Sequence, residues 1–123
     1  MKIYWFLNMD CRRCINLIEK VYDFSVIDQK VIERIVDDEY ANLNHVILAK
    51  EDRLPEHFSN SNVYLLIVRG TMSIQLNQDH EQMYPNGKII NVPFNTKMNI
   101  RNVKEDILEF FIVKAPHPKD MVS

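Results

Sequence analysis

The stretch that decides the fold is residues 87–102, GKIINVPFNTKMNIRN. It opens on Gly87, one of only two glycines in 123 residues. Pro93, Asn95, Met98, Ile100 and Asn102 follow at short, uneven separations. In a chain so poor in glycine, each one marks a backbone position that calls for positive φ. Tyr84-Pro85-Asn86 ahead of Gly87 add a turn signal. Pro93 has no N–H to give a central ladder, so it belongs at the end of a strand. The segment between them, KIINV, therefore reads as a short strand. In KMNIR the alternation places Met98 and Ile100 on one face, away from Lys97 and Asn99. Asn102 can close the next turn with a side-chain-to-backbone hydrogen bond.

Working outward, the same grammar repeats. KVIERIV, LNHVILA, VYLLIVR, TMSIQL, EQMY and ILEFFIVK are apolar or alternating runs separated by turn chemistry. Such spacing predicts an antiparallel sandwich or barrel across residues 29–115. Gly70, between VYLLIVR and TMSIQL, predicts a tight hairpin. Met72, Ile74 and Leu76 alternate with polar residues, so one face of their strand should meet water. The segment 50–62 reads as a loop. Residues 1–28 differ: KIYWFL suits a strand, and Ile15, Leu17, Ile18, Val21 and Phe24 fit one face of a helix capped by Asp10. The tail, residues 116–123, reads as irregular.

Composition sets the outer bounds. The chain is 46% hydrophobic and 26% charged, with a net charge of −2. One soluble domain is expected, with a core large enough to need no metal or disulfide staple. The basic residues are scattered, which argues against nucleic-acid and membrane-surface partners. No apolar run approaches the ~20 residues of a membrane span. The apolar run near the N-terminus is too short for a secretory leader, so a cytoplasmic location is expected.

The glycines also carry a resemblance. The second cupin motif has the form G, five residues, P, one residue, G, two residues, H, three residues, N. Residues 87–102 resemble it at Gly87, Pro93 and Asn102, with Asn95 at the middle glycine and Met98 at the histidine. Asn is a mild replacement, because it tolerates left-handed backbone angles. Counting back from Gly70 through the first cupin motif places its two histidines on His57 and Ser59, its glutamate on Val63 and its early glycine on Glu51. The resemblance implies a mainly β, cupin-type barrel or jelly roll of short antiparallel strands, preceded by a short N-terminal helical segment.

In typical cupins, two histidines, a glutamate and a later histidine converge on one divalent metal. Here the four positions read His57, Ser59, Val63 and Met98. Hydroxyl and thioether are poor ligands for Fe²⁺, Mn²⁺ or Ni²⁺, and valine offers none. No metal cofactor is expected, with His57 the one residual ligand. The interior then holds Val63, Leu65, Met98 and Ile100, which either pack it shut or leave an apolar pocket for a small molecule, with His57 and Ser59 as its polar features. The resemblance, with its scaffold intact and its ligands absent, implies a small-molecule-binding or accessory/regulatory module; a metal-dependent dioxygenase or isomerase with atypical ligands is the alternative. His45 could face either side of its strand. His80 and His117 read as solvated.

A second resemblance is local. The run KIYWFLNMDCRRCINLIEKV resembles the strand–CxxC–helix opening of thioredoxins. Cys11 and Cys14, next to Arg12 and Arg13 at a helix start, would have some thiolate character. They could serve as a redox switch, as half a zinc site, or as ordinary packing residues. Compact cupins commonly pair, and an exposed apolar IYWFL strand would be a liability, so a homodimer is expected.

Overall fold

The computed structural model describes residues 18–121. Nine strands follow in order: β1 (Val31–Asp37), β2 (Asn42–Ala49), β3 (His57–Phe58), β4 (Val63–Arg69), β5 (Thr71–Leu76), β6 (Gln82–Pro85), β7 (Ile89–Val92), β8 (Lys97–Arg101) and β9 (Ile107–Lys114). A 3₁₀ turn, Pro118–Asp120, follows. The strands form two antiparallel sheets, ordered β1-β2-β9-β4-β7 and β3-β8-β5-β6. The sheets face each other across one apolar core.

Period-two alternation fixes which residues meet there. Val63, Leu65 and Ile67 of β4 face inward, as do Val46 and Leu48 of β2 and Leu108 and Phe110 of β9. From the smaller sheet come Met72, Ile74, Met98 and Ile100. Burying such side chains contributes roughly 1.5–3 kcal/mol each before entropy is subtracted. These inward rows account for why the alternating segments became strands at the positions their sequence marks.

The turn between β4 and β5 differs from the expectation. Gly70 does not close a hairpin: β4 pairs with β7 and β9, whereas β5 pairs with β6 and β8. The chain crosses here from one sheet to the other. Gly70 takes φ +83° and passes so close to the strand beside it that a Cβ would stand 2.2 Å from the Ile107 carbonyl oxygen. The local signals of a hairpin and of a sheet crossing are the same, because both need a positive-φ residue between two strands. The hairpin proper joins β5 to β6, with Asn77 at φ +53°.

Three smaller corrections follow. Residues 50–62 contain the two-residue strand β3, and Arg53 bridges to Arg101 beside it. The outer face of β5 is not simply wet, since Ser73 is buried under Glu81. Arg101 and the Ser73 hydroxyl hold the Glu81 carboxyl down to about 2. His117 is not free in solvent; it pairs with Asp37 and accepts from the Lys119 N–H.

The helical expectation also fails where it can be followed. Residues 18–24 show no helix, and Ile18 is 99% exposed. The apolar spacing there is not a buried helical stripe. Instead Phe24 packs edge-on against Phe111 at 5.1 Å and tilts over His45 at 4.9 Å. Ser25 donates from both its N–H and its hydroxyl to Glu33. An extended segment thus covers the outer face of the larger sheet. The predicted strand in KIYWFL, together with Cys11 and Cys14, lies outside the described residues.

The motif positions set the backbone as their residue types suggest. Gly87 has φ +87° and Asn95 has φ +61°. Glu51 stands where the early glycine of the motif would fall, and it too is left-handed, at φ +71°. Asn102 is fully buried. It donates to the carbonyls of Leu48 and Glu105 and accepts from the Glu105 N–H, closing the turn before β9.

Candidate functional site

His57 and Met98 are direct partners in the β3–β8 ladder. Directly opposed residues project to the same side of a sheet, and here that side is the interior. Met98 is buried, whereas His57 is exposed at the rim. Next to Met98 on the same face lies Ile100. Between these residues and the larger sheet is a cavity of about 420 Å³. Ile32, Val46, Leu54, Leu65, Met98 and Ile112 supply most of its wall. Its polar lining is Asn44, His57 and Lys114. Ile32 and His57, both exposed, mark its mouth.

Of the residues singled out from the sequence, His57, Leu65, Met98 and Ile100 come together around this cavity. Ser59 and Val63 do not line it. The Ser59 hydroxyl is committed, donating to the Pro93 carbonyl at 2.6 Å and accepting from the Thr96 N–H at 2.9 Å. Val63 is wholly buried among the core residues. The interior is therefore packed at Val63 and open beside Met98.

The four positions at which a cupin holds its metal do not suit one here. They present an imidazole whose Nδ1 lies 2.9 Å from the Pro55 carbonyl, a hydroxyl already engaged twice, an aliphatic side chain and a thioether. Hard or borderline divalent ions favour carboxylate and imidazole donors instead.

Two lining residues had no sequence signal. Asn44 sits opposite Ile112, and Lys114 sits two positions further along β9 on the same inner face. Asn44 Oδ1 is buried with no hydrogen-bond partner among the described residues. Leaving such a group unpaired costs about 1–3 kcal/mol. Dehydration, reinforced by the nearby charge of Arg34, holds the Lys114 ammonium below the ordinary lysine range. Among the described residues, Lys114 has no carboxylate in ion-pair range. Periodicity alone gives a lysine at the end of a strand no reason to point inward.

The opposite face of the larger sheet carries a separate polar cluster. His45 is fully buried there, with Nδ1 2.7 Å from Glu33 and Nε2 2.6 Å from Glu109. A carboxylate only accepts, so both bonds are filled when both ring nitrogens carry hydrogen. Arg69 donates to Glu109, to Asp28 and to the Ile27 carbonyl, pinning the extended N-terminal segment. Burial works against ionisation of Glu33, but hydrogen bonds from Ser25 and His45 outweigh it and lower its pKa. A further cavity of about 480 Å³ lies under the β5–β6 hairpin, near Leu76, Tyr84 and Ile90, with His80 at its edge.

Two facing antiparallel sheets, the glycine–proline–asparagine frame and residues 57 and 98 paired at the interior define a cupin, one whose metal positions lack the ligand set. No family model matches the chain. It is 46% identical over 106 residues to the uncharacterized protein MJ0764 of Methanocaldococcus jannaschii, covering 85% of this chain and 91% of that one. The crystal structure of that protein is described as an RmlC-like cupin family protein with a double-stranded β-helix fold. It matches with a TM-score of 0.82 and 47% identity, over 84% of this chain and 95% of the other. A cupin superfamily protein from Desulfitobacterium hafniense shares the fold at a TM-score of 0.64 and 12% identity, over 76% of this chain and 83% of that one. The chain belongs to the RmlC-like cupin family. Among the described residues, no helix is long and apolar enough to cross a membrane.

Proposed function

We propose that this cupin is a binding module that receives a small, mainly apolar molecule between its sheets, without a metal at positions 57, 59, 63 and 98. The observation that carries the reading is the cavity beside Met98. Its volume and its apolar lining with a few convergent polar groups match the usual build of a small-molecule site. The donor set at the metal positions supports the second half of the proposal. Two measurements test it together. Medium-chain alcohols and acids should raise the unfolding temperature of the native protein, and Ile100→Trp, which fills the cavity, should abolish that rise. Elemental analysis should find metal well below one ion per chain. Stoichiometric metal that is lost in His57→Ala favours the metalloenzyme reading instead.

A homodimer is part of the proposal. Tyr64, Val68 and Ile89 leave apolar surface exposed on the larger sheet, and such patches invite cover. Light scattering at micromolar concentration should give twice the chain mass; a monomer overturns this part alone.

A further inference from the structure

We infer that the ligand of the cavity carries a carboxylate, held by Lys114 at the end of the wall formed by β2 and β9. This rests on the cavity being a binding site, as proposed above, and names the chemical class it selects.

The argument starts from charge. The cavity is lined by Lys114 and no acidic residue, among the described residues that form it. A surface lysine often lays its methylene stem on apolar wall and keeps its head in water. Such a lysine keeps its ordinary pKa. Lys114 does not: loss of water is the main cause of its lowered value, and the Arg34 charge adds to it. Lys114 is half-buried and lines the cavity, where no carboxylate faces it among the described residues. A cation withdrawn from water without a partner is unfavourable. Its retention at a cavity wall points to an anion that arrives from outside.

Neighbouring chemistry narrows the anion. Asn44, which shares the inner face with Ile112 and Lys114, brings an amide whose oxygen lacks a partner. A carboxylate accepts only, so the amide meets it through Nδ2–H, the end that rotation about the last side-chain torsion can present. One ammonium with one amide suits a singly charged, planar carboxylate. A phosphate would call for more donors, such as an arginine fork or a run of backbone N–H groups. Beyond these two residues and His57 at the rim, the wall is apolar, through Val46, Leu54, Leu65 and Ile100. The acid therefore has an apolar body that lies along this wall.

Isothermal titration of the whole chain with octanoate and with 1-octanol separates the possibilities. Octanoate should bind roughly 10- to 100-fold more tightly than the alcohol, as a charge-assisted hydrogen bond implies. In Lys114→Met the two should converge to within about threefold, with alcohol binding retained. Lys114→Gln gives the same comparison if the Met variant does not fold. Equal affinities in the native protein overturn the carboxylate assignment and leave the apolar site standing. Binding of neither probe overturns both.

Discussion

His57 and Met98 face each other across one rung of the β3–β8 ladder, yet one is exposed and the other buried. The rung runs from the rim of the cavity to its floor. Substitution should therefore have unequal effects on the two. His57→Ala removes an exposed ring whose contact is with the nearby Pro55 carbonyl, and should change stability by less than about 0.5 kcal/mol. Met98→Ala enlarges an existing void and should cost about 2–5 kcal/mol. Urea denaturation of both variants checks the pair.

The two glycines and Glu51 form a graded test of backbone strain. Gly70→Ala would place a Cβ against the Ile107 carbonyl as well as at positive φ, and should destabilise by more than about 3 kcal/mol, or prevent folding. Gly87→Ala meets nothing within 4 Å. It should cost only the left-handed backbone penalty, about 1–2 kcal/mol. Glu51→Gly relieves the same penalty and should stabilise by up to about 1 kcal/mol, even though a glycine loosens the unfolded chain. A rank order other than Glu51→Gly, Gly87→Ala, Gly70→Ala from most to least stable would contradict the geometry.

Asn102 holds three hydrogen bonds inside the core. Asn102→Ala leaves the Leu48 carbonyl and the Glu105 N–H without the partner they had. The cost should be about 2–4 kcal/mol. Asn102→Asp keeps the acceptor but sets a buried carboxylate oxygen against the Leu48 and Glu105 carbonyls, and should cost at least as much as the alanine when thermal unfolding is compared at pH 7.

The segment over the larger sheet should release in acid. Glu33 has a pKa below the ordinary carboxylate range in the folded protein, so it binds a proton less readily folded than unfolded. Its stabilisation is fully present above the unfolded value and is lost as pH falls through the folded one. Below that point Ser25 loses its charged acceptor. Hydrogen exchange at residues 24–28, taken relative to its intrinsic rate, should speed up as pH falls through and below the ordinary glutamate range, before the core opens. In Glu33→Gln, that step should be absent, with a stability loss of about 1–2 kcal/mol at pH 7.

Much of this architecture can be read from residue types alone, and the exceptions share a cause. Strand positions and the inward rows follow from alternation, which is local. The turns at Gly87, Asn95 and Asn102 follow from the angles and hydrogen bonds those residues favour. Gly70 could be placed as a turn but not as a crossing, because sheet membership depends on partners far along the chain. The strand at His57–Phe58 is too short to show a period. At the site, His57 and Met98 were legible through the motif frame, and Leu65 and Ile100 through the alternation of their strands. Asn44 and Lys114 were not, since a polar residue facing inward breaks the pattern that would reveal it. The same holds for His45, whose partners Glu33 and Glu109 come from different strands. In residues 18–24 a helical spacing of apolar residues coexists with an extended path, because the sheet's outer face needed cover that Phe24 and Ser25 supply.

The order of the larger sheet places β9 at its centre, between β2 and β4. That strand is the last of the nine to leave the ribosome. Until it arrives, β2 and β4 each lack a neighbour, and the larger sheet stays split into a β1–β2 pair and a β4–β7 pair. Folding must then wait for nearly the whole barrel to be synthesised, leaving a nascent chain with open strand edges for a chaperone to shield.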